Sequence, residues 1–214
     1  MTIGIIGTGK MGQALARAIA SRVEPVLLAA GRGDVREGLV SCPRCQPATL
    51  DEVWRRARLV LLALPFPVAR DLMSGPPGGL GGGRTLVDVS NPCLNPGDRP
   101  PPGHSAGELI AAVAPTWSTA KAFNTVPAAL LDTPQMYGRP VSVPVAGCRP
   151  AKSDVFDLAW RLGFDPVDAG EIVASFELES LARLLVSVST AHRLHGRIAI
   201  HIGQPEPVAA RVGP

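Results

Sequence analysis

Residues 3–20 read IGIIGTGKMGQALARAIA: a short apolar run, three closely spaced glycines and a segment with helical periodicity. We predict a strand before the glycines and a helix over Met11–Ser21 after them, with Gly7, Gly9 and Gly12 spaced as G-x-G-x-x-G. The first glycine permits a tight turn, the second lets a pyrophosphate approach the backbone, and the third lets the helix pack on the strand. The helix start then offers free N–H groups to the phosphates. The pattern predicts a dinucleotide site; the alternative is a glycine-rich turn that binds nothing.

The end of the second predicted strand carries an arginine where an NAD site carries an acid. About 20 residues past the glycines, an Asp or Glu normally accepts a hydrogen bond from the ribose 2′-hydroxyl of NAD. Here Gly31 and Arg32 occupy that place, and Arg36 follows one helical turn later. A guanidinium binds a 2′-phosphate through a planar pair of donors, whereas a carboxylate repels it. The sequence therefore predicts NADP, held by Arg32 and Arg36. Two alternatives stay open: Asp34 pairs with Arg32 and weakens the preference, or Arg32 is a solvated loop residue.

Short apolar runs alternate with helical patterns along the chain, which is typical of a doubly wound parallel α/β sheet. The predicted strands are Ile3–Ile6, Val26–Ala30, Leu59–Leu64, Thr85–Val89, Ser118–Phe123, Val141–Val145 and Pro166–Val167. The predicted helices are Met11–Ser21, Leu50–Ala57, a short one that ends near Met73, Ser105–Val113, Lys152–Leu162 and Glu177–His195. We predict a nucleotide-binding domain over residues 1–140, a small C-terminal α/β addition over 141–203 and a flexible tail over 204–214.

Composition and charge exclude several classes of function. The net charge of +3 comes from scattered basic residues, whereas nucleic-acid binding needs a concentrated positive surface, so no nucleic-acid partner is expected. The most apolar segments, Leu59–Leu64 and Leu181–Val188, are too short to span a bilayer. The first strand begins so early that we expect no signal or transit peptide. Four cysteines are too few and too irregular for a secreted disulfide framework, so we expect a cytoplasmic protein.

Substrates of open α/β sheets bind outside the carboxyl ends of the strands. Here those ends read ALPFP (63–67), DVSNP (88–92) and KAFNTVP (121–127). Together with GIIGTGKMGQALA, SAGELIAAVAPTWSTAKAFNTV and AKSDVFDLAWRLGFDPVDAG, they resemble, in order and spacing, the NADPH-dependent reductases of the deazaflavin coenzyme F420. The cytoplasmic domains of ferric reductases are related to that family. The resemblance runs from about residue 2 to about residue 185.

The resemblance implies a homodimeric, Rossmann-type protein that moves hydride between NADP and a second ring stacked on the nicotinamide, that of F420 or of another small-molecule hydride acceptor or donor. It implies that Thr8, Gly9, Lys10 and Met11 line the pyrophosphate. It implies that Leu64, Pro65, Ser90 and Asn91 face the nicotinamide and its ribose. It implies that Ala122, Asn124, Thr125 and Val126 face the second ring. Transfer between stacked rings needs close approach and exclusion of water but no acid or base, so no residue is assigned as certainly catalytic.

The C-terminal third, which by resemblance shapes the acceptor side, departs from the family at three positions. The family commonly has acids after the strand VPVAG, where this chain has Cys148 and Arg149. It also commonly has an arginine in the last helix, where this chain has Phe176. An apolar side chain in place of a charge would favour a more apolar acceptor.

Lys121 and Asn124 form a K-x-x-N pattern that is similar to the proton-donating lysine motif of hydroxyacid dehydrogenases. The favoured interpretation is structural, with Asn124 as a helix N-cap and Lys121 on the preceding strand. If the acceptor is an imine or a carbonyl, a proton must be supplied, and Lys121, His104 and Tyr137 are the candidates.

Three further features favour structural interpretations. Cys42 and Cys45 form C-x-x-C, but zinc needs four ligands and no second pair follows, so we predict reduced loop thiols and no metal. His192 and His195 are predicted to share a polar face of the last helix. The apolar positions of that helix are predicted to pack in the core or at a dimer interface; they are Leu181, Leu184, Leu185 and Val188.

Three functions therefore remain open at this point. The first is an NADPH-dependent reductase of a deazaflavin coenzyme. The second is a reductase of an imine, carbonyl or flavin in a specialised pathway, and the third is a non-catalytic NADP-binding module.

Overall fold

The computed structural model describes residues 1–31, 43–92 and 96–203. Within these ranges, eight strands form one sheet, and a separate hairpin pairs two more. The strands of the sheet are β1 (Ile3–Ile6), β2 (Val26–Ala29), β3 (Cys45–Pro47), β4 (Leu59–Leu62), β5 (Thr85–Asp88), β6 (Ser118–Lys121), β9 (Ser142–Gly147) and β10 (Asp165–Asp168). The hairpin strands are β7 (Gln135–Met136) and β8 (Arg139–Pro140). The helices are α1 (Lys10–Arg22), α2 (Leu50–Arg56), α3 (Phe66–Met73), α4 (Ala106–Val113), α5 (Arg149–Leu162) and α6 (Ser175–Ala191).

The strand order confirms the predicted doubly wound fold. Across the sheet the strands run β10-β9-β6-β5-β4-β1-β2-β3, and every neighbouring pair from β3 to β6 is parallel. The chain leaves β1 toward β2 and β3, then returns to β4 on the other side of β1. Ligands of open α/β sheets bind at such a reversal, outside the carboxyl ends of the strands.

The strands and helices form where the sequence supplies their usual signals. β1, β2, β4 and β5 are buried along their whole length, as expected for a parallel sheet covered on both faces. The helices α2 and α4 each begin with a capping box, Thr49 with Glu52 and Ser105 with Glu108. These caps fix where both helices start relative to the sheet.

Residues 141–203, predicted as a small addition, extend the same sheet through β9 and β10. The strand β9 runs antiparallel to β6, with Ala120 opposite Gly147, and β10 runs parallel to β9. The carboxyl end of β9 therefore points toward the amino-terminal edge of the parallel strands. The helix α5 follows β9 directly and lies at this edge, where its Asp154 accepts a 2.5 Å hydrogen bond from Thr85, the first residue of β5.

Three sequence expectations change or fall outside the described residues. Cys45, predicted to lie in a loop, starts the edge strand β3, which is too short for a period to reveal it. His192 and His195 do not share a helix face, because α6 ends at Ala191 and His195 has a positive φ of 49°. Cys42 and the predicted tail 204–214 lie outside the described residues. Within the described ranges, none of the helices combines the length and the apolarity that crossing a membrane requires.

Candidate functional site

A cleft of about 560 Å³ opens at the carboxyl ends of β1, β4, β5 and β6. It is bounded on the sheet side by the segments that follow these four strands and on the other side by α6 and the chain after it. The lining residues on the sheet side are Gly9, Lys10, Met11, Ala63, Leu64, Pro65, Val89, Ser90, Asn91, Asp98 and Phe123–Ala128. The lining residues on the other side are Ala182, Leu185, Val186, Ser189, Thr190, Gly196 and Ile198.

The three glycines at the start of α1 have distinct steric roles. Gly7 has a φ of +125°, and a Cβ there would lie 2.2 Å from the carbonyl oxygen of Ala63. A Cβ on Gly12 would lie 1.9 Å from the carbonyl oxygen of Gly7, so both positions require glycine for packing. A Cβ on Gly9, by contrast, would have no described heavy atom within 4 Å, and Gly9 lines the cleft. The open space at Gly9 fits the close approach of a pyrophosphate to the backbone.

The first turn of α1 is also suited to an anion. Gly9 is the N-cap, no side chain of the described residues caps the helix, and the first turn contains no acid. The first amides of a helix have no intrahelical acceptor, and the helix dipole places partial positive charge on them. Lys10, exposed at the edge of the cleft, adds a full positive charge. These features fit the phosphates of the predicted dinucleotide.

Ser90 is held by two buried charged side chains. Its backbone N–H donates to Asp88 Oδ1 at 2.9 Å, and its hydroxyl accepts a hydrogen bond from Lys121 Nζ at 3.3 Å. Because the hydroxyl oxygen is oriented by Lys121, its own proton is available to an acceptor in the cleft. The sequence places Ser90 there because it follows the end of β5 directly.

The turn after β6 presents two polar atoms that lack a partner. Phe123 has a φ of 60°, a left-handed conformation that costs roughly 1–3 kcal/mol in a residue other than glycine. Its buried ring packs edge-on against Phe164, with 6.3 Å between the ring centroids, which holds this backbone in place. Asn124 Oδ1 and Thr125 Oγ1 follow, both buried and without a hydrogen-bond partner among the described residues. A ligand in the cleft that satisfied them would remove a desolvation cost of roughly 1–3 kcal/mol each.

The amide of Asn124 connects this turn to the neighbouring elements. It donates to Asn91 Oδ1 at 3.2 Å and to the carbonyl of Leu178 in α6 at 3.0 Å. Asn91 donates in return to the carbonyl of Asn124 at 2.6 Å. Contrary to the prediction, Asn124 is not a helix N-cap: the next helical element, over Ala128–Leu130, is capped by Pro127. Asn124 instead joins the segments after β5 and β6 to α6.

The three candidate proton donors do not reach the cleft. Lys121 is fully buried, and its ammonium contacts Asp88 Oδ2 at 2.6 Å, Glu179 Oε1 at 3.0 Å and Ser90 Oγ, which uses all three of its donors. Tyr137 is 94% exposed at the turn of the β7–β8 hairpin, and His104 is exposed in the loop before α4. The structure therefore gives none of them a position from which to protonate a ligand in the cleft.

Most of the other predicted site residues line the cleft, and the rest lie beside it or outside the described ranges. Those that line it are Gly9, Lys10, Met11, Leu64, Pro65, Ser90, Asn91, Asn124, Thr125 and Val126. Gly7, Thr8, Gly12 and Ala122 are not in its lining; the carbonyl of Thr8 accepts a hydrogen bond from the Gln13 side chain at 2.8 Å. Arg32 and Arg36 lie outside the described residues, so their assignment to the 2′-phosphate stays a prediction.

Sequence reasoning missed the wall that α6 contributes. The lining positions Ala182, Leu185, Val186 and Ser189 follow the spacing i, i+3, i+4, i+7, which marks one helix face. The predicted core stripe has the same spacing but begins one residue earlier, at Leu181. The two faces are equally periodic in the sequence, and only the packing of α6 distinguishes them.

The three departures from the family do not touch the cleft, contrary to expectation. Cys148 donates its backbone N–H to Thr119 at 3.3 Å, on the side of β6 away from the cleft, and Arg149 starts α5. Phe176 is 46% exposed in the first turn of α6. The reversed direction of β9 carries Cys148 and Arg149 away from the acceptor side.

The cleft contains few charges, and the described residues hold no candidate metal centre. Among the described lining residues, only Lys10 and Asp98 carry ionisable side chains. Within the described residues, no three His, Cys, Asp or Glu side chains come close enough together to hold a metal ion. The arrangement suits a ligand with an anionic end at α1 and an uncharged end between the sheet edge and α6.

Comparison with known proteins agrees with this geometry. Residues 2–92 match the family described as NADP oxidoreductase, coenzyme F420-dependent. A crystal structure from Arthrobacter sp. FB24, described as a candidate F420-dependent NADP reductase, superposes with a TM-score of 0.83 and 26% identity, over 95% of this chain and all of that one. A hypothetical protein, SMa0349 from Sinorhizobium meliloti, is 30% identical with a TM-score of 0.68, over 82% of this chain and 87% of that one.

Two further matches are either partial or low in sequence identity, so they say less about the function of this chain. The metalloreductase STEAP3 of Rattus norvegicus is 33% identical over 106 residues, 49% of this chain, and the chain spans only 21% of that protein. An imine reductase from Myxococcus stipitatus has a TM-score of 0.65 at 14% identity, over 91% of this chain and 63% of that one, which shows the fold alone. The matched residues 2–92 contain β1, β4 and β5, the three glycines Gly7, Gly9 and Gly12, and the Ser90–Asn91 segment. The comparisons identify an NADP-dependent oxidoreductase, of which residues 2–92 match the family described as coenzyme F420-dependent.

Proposed function

We propose that this protein transfers hydride between NADPH and the deazaflavin ring of coenzyme F420. The match of residues 2–92 to the family supports the NADP-dependent oxidoreductase class, and the Arthrobacter structure, which this chain covers completely, supports the deazaflavin partner. The observation that carries the proposal is the composition of the cleft. One end holds a helix start suited to an anion, and the other holds an apolar face of α6 opposite the turn of Asn124 and Thr125, whose Oδ1 and Oγ1 atoms have no hydrogen-bond partner among the described residues.

The described residues fit NADP in two places. The amides at the start of α1 and the open space at Gly9 hold the pyrophosphate, and Lys10 neutralises part of its charge. Ser90 and Asn91 face the nicotinamide and its ribose from the end of β5. On the sequence alone, we assign the 2′-phosphate to Arg32 and Arg36, which lie outside the described residues. When bound, NADPH supplies the hydride, and the protein supplies binding and orientation.

The second ring occupies the space between the β6 turn and α6. Asn124 Oδ1 and Thr125 Oγ1 offer it one acceptor and one hydroxyl, while Leu185 and Val186 cover its opposite face. Apolar walls exclude water and bring two flat rings into contact, and hydride transfer between such rings requires little more.

Rapid mixing of the protein with NADPH and oxidised F420 tests the proposal. We expect the absorbance bands of NADPH and of oxidised F420 to decay together at the same rate. If the protein turned over free flavin or an imine but not F420, the proposed deazaflavin acceptor would be wrong, and the acceptor would be the compound that is turned over. Tight binding of NADPH with no oxidation by any of these acceptors would make the protein a non-catalytic NADP-binding module.

We also propose a homodimer. The resemblance implies one, and exposed apolar side chains before and along α6, at Val173, Phe176 and Leu184, offer a surface for it. Light scattering coupled to size-exclusion chromatography should give twice the chain mass of 22.3 kDa. A monomer mass across the concentration range would contradict this proposal and leave the cleft unaffected.

A further inference from the structure

Three charged side chains form a buried cluster directly behind the cleft. Lys121 lies between Asp88, 2.6 Å away, and Glu179, 3.0 Å away, and the three side chains are between 0% and 5% exposed. We call Asp88, Lys121 and Glu179 the buried triad. Such a cluster adds little to stability on balance, because desolvation of the charges offsets their attraction.

Every carboxylate oxygen of the buried triad faces a hydrogen-bond donor, which is the arrangement that an ionised carboxylate requires. Asp88 Oδ1 accepts from the Ser90 amide, and Oδ2 accepts from Lys121. Glu179 Oε1 accepts from Lys121 and from the Gly107 amide at 3.2 Å, and Oε2 accepts from the Ala106 amide at 3.3 Å. A proton on any of these oxygens would point at a donor. Two negative charges and one positive charge leave the buried triad with an excess of one negative charge.

The excess charge lies one hydrogen bond behind the cleft. Ser90 lines the cleft, its amide binds Asp88, and its hydroxyl binds Lys121. The start of α4, whose amides contact Glu179, offsets only part of a unit charge. Burial removes most of the screening by water and salt that weakens charges at a surface. A ligand group beside Ser90 is therefore exposed to a negative potential.

We propose that the buried triad favours the oxidised cofactor over the reduced one and so makes bound NADPH a stronger hydride donor. The inference rests on the proposed function, which puts the nicotinamide beside Ser90. The nicotinamide ring is cationic in NADP⁺ and neutral in NADPH, while the rest of the two molecules is the same. A negative potential at the ring stabilises only the cationic form. Glu179 acts through Lys121 and Ser90, as a positioning residue that does not contact the cofactor.

The decisive measurement is the ratio Kd(NADP⁺)/Kd(NADPH), obtained by calorimetry on the full chain. Glu179→Gln keeps the size of the side chain and removes one negative charge, so NADP⁺ should weaken relative to NADPH and the ratio should rise roughly three- to thirtyfold. Glu179→Asp keeps the charge and should leave the ratio within twofold of the unmodified protein. If Glu179→Gln only loosened the wall of the cleft, the binding of NADP⁺ and of NADPH would weaken by the same factor, and the ratio of the two Kd values would not change.

Glu108→Gln is the matched control, because Glu108 caps the same helix α4 through Ser105 but does not line the cleft or contact the buried triad. Its ratio should equal that of the unmodified protein. Asp88→Asn removes the same charge from the other side of Lys121 and carries the same expectation, so it replaces Glu179→Gln if that variant does not fold.

The possible failures are distinguishable. If both cofactor forms bind and the ratio stays the same in Glu179→Gln and Asp88→Asn, the inference is overturned and the proposed function stands. If the unmodified protein binds neither NADP⁺ nor NADPH, the proposed function itself is wrong. Binding of 2′,5′-ADP, which lacks the nicotinamide, should be the same in every variant and reports that the adenosine end of the site is intact.

Discussion

Replacing Gly9 and Gly12 by alanine, one at a time, should separate effects on cofactor binding from effects on stability. The Gly9 variant should mainly lose cofactor binding, and the Gly12 variant should mainly lose stability. At Gly9 the new methyl group meets no described atom within 4 Å, and the backbone, with φ −73° and ψ −178°, suits any residue. Only the N-cap preference changes, which costs roughly 0.5–1 kcal/mol. At Gly12 the methyl group would lie 1.9 Å from the carbonyl oxygen of Gly7, so the backbone must move by about 1 Å. Overpacking of this kind costs roughly 1–3 kcal/mol.

Calorimetry and thermal unfolding measure the two effects. Since 1 kcal/mol shifts Tm by roughly 2–4 °C in a chain of this size, Gly9→Ala should lower Tm by less than about 4 °C and Gly12→Ala by roughly 2–12 °C. Gly9→Ala should weaken NADP⁺ binding at least about tenfold, or roughly 1.4 kcal/mol, because its methyl group occupies the space the pyrophosphate needs. A Gly9→Ala variant that binds NADP⁺ as tightly as the unmodified protein would refute the assignment of the pyrophosphate to the start of α1. A Gly12→Ala variant with unchanged Tm would refute the packing argument.

Three further predictions concern the two ends of the cleft and the far edge of the sheet. Arg32→Asp should move the ratio of NADP to NAD affinity at least about tenfold toward NAD, because the 2′-phosphate loses a charged donor pair; an unchanged ratio would remove Arg32 from the site. Val186→Trp should raise the KM for the acceptor severalfold with the Kd of NADPH kept, whereas Ser187→Trp, one residue along the same helix and outside the lining, should leave both kinetic constants unchanged. The Lys152 ammonium, 2.8 Å away, lowers the pKa of Asp168 from its ordinary 3.8, so the stabilisation is present above that value and is lost as pH falls through the lowered pKa. Asp168→Asn should accordingly lower the free energy of unfolding by roughly 0.2–1 kcal/mol near neutral pH, with the difference closing below the lowered pKa; a gap that persisted in acid would contradict the ion pair.

The sequence predicted the parallel part of the sheet because its signals are local. Each buried strand is a short apolar run, and each is followed by a polar or glycine-rich end that must lie at the same edge. The direction of β9 has no such signal, since an apolar strand reads the same whether it runs parallel or antiparallel to its neighbour. The expectation that Cys148 and Arg149 shape the acceptor side was wrong for this reason.

The candidate site was likewise predictable only where its residues follow local signals in the sequence. Gly9, Ser90 and Asn124 follow predicted strands and line the predicted cleft. The environment of Lys121 depends on contacts with Asp88 and Glu179, which lie on different elements far away in the chain, and no local pattern encodes such a meeting. The face that α6 turns to the cleft could not be chosen from periodicity, because two adjacent stripes are equally regular.

The antiparallel run of β9 has a practical consequence for handling the molecule. It sends the chain back across the sheet, so the exposed Arg149 at the start of α5 lies at the edge opposite the nucleotide cradle. A biotin or surface linker attached at this position, through a substituted residue, would hold the molecule on a sensor chip with the glycines at the start of α1 directed toward the flowing solution. Cofactor and acceptor could then be passed over the same immobilised sample in turn.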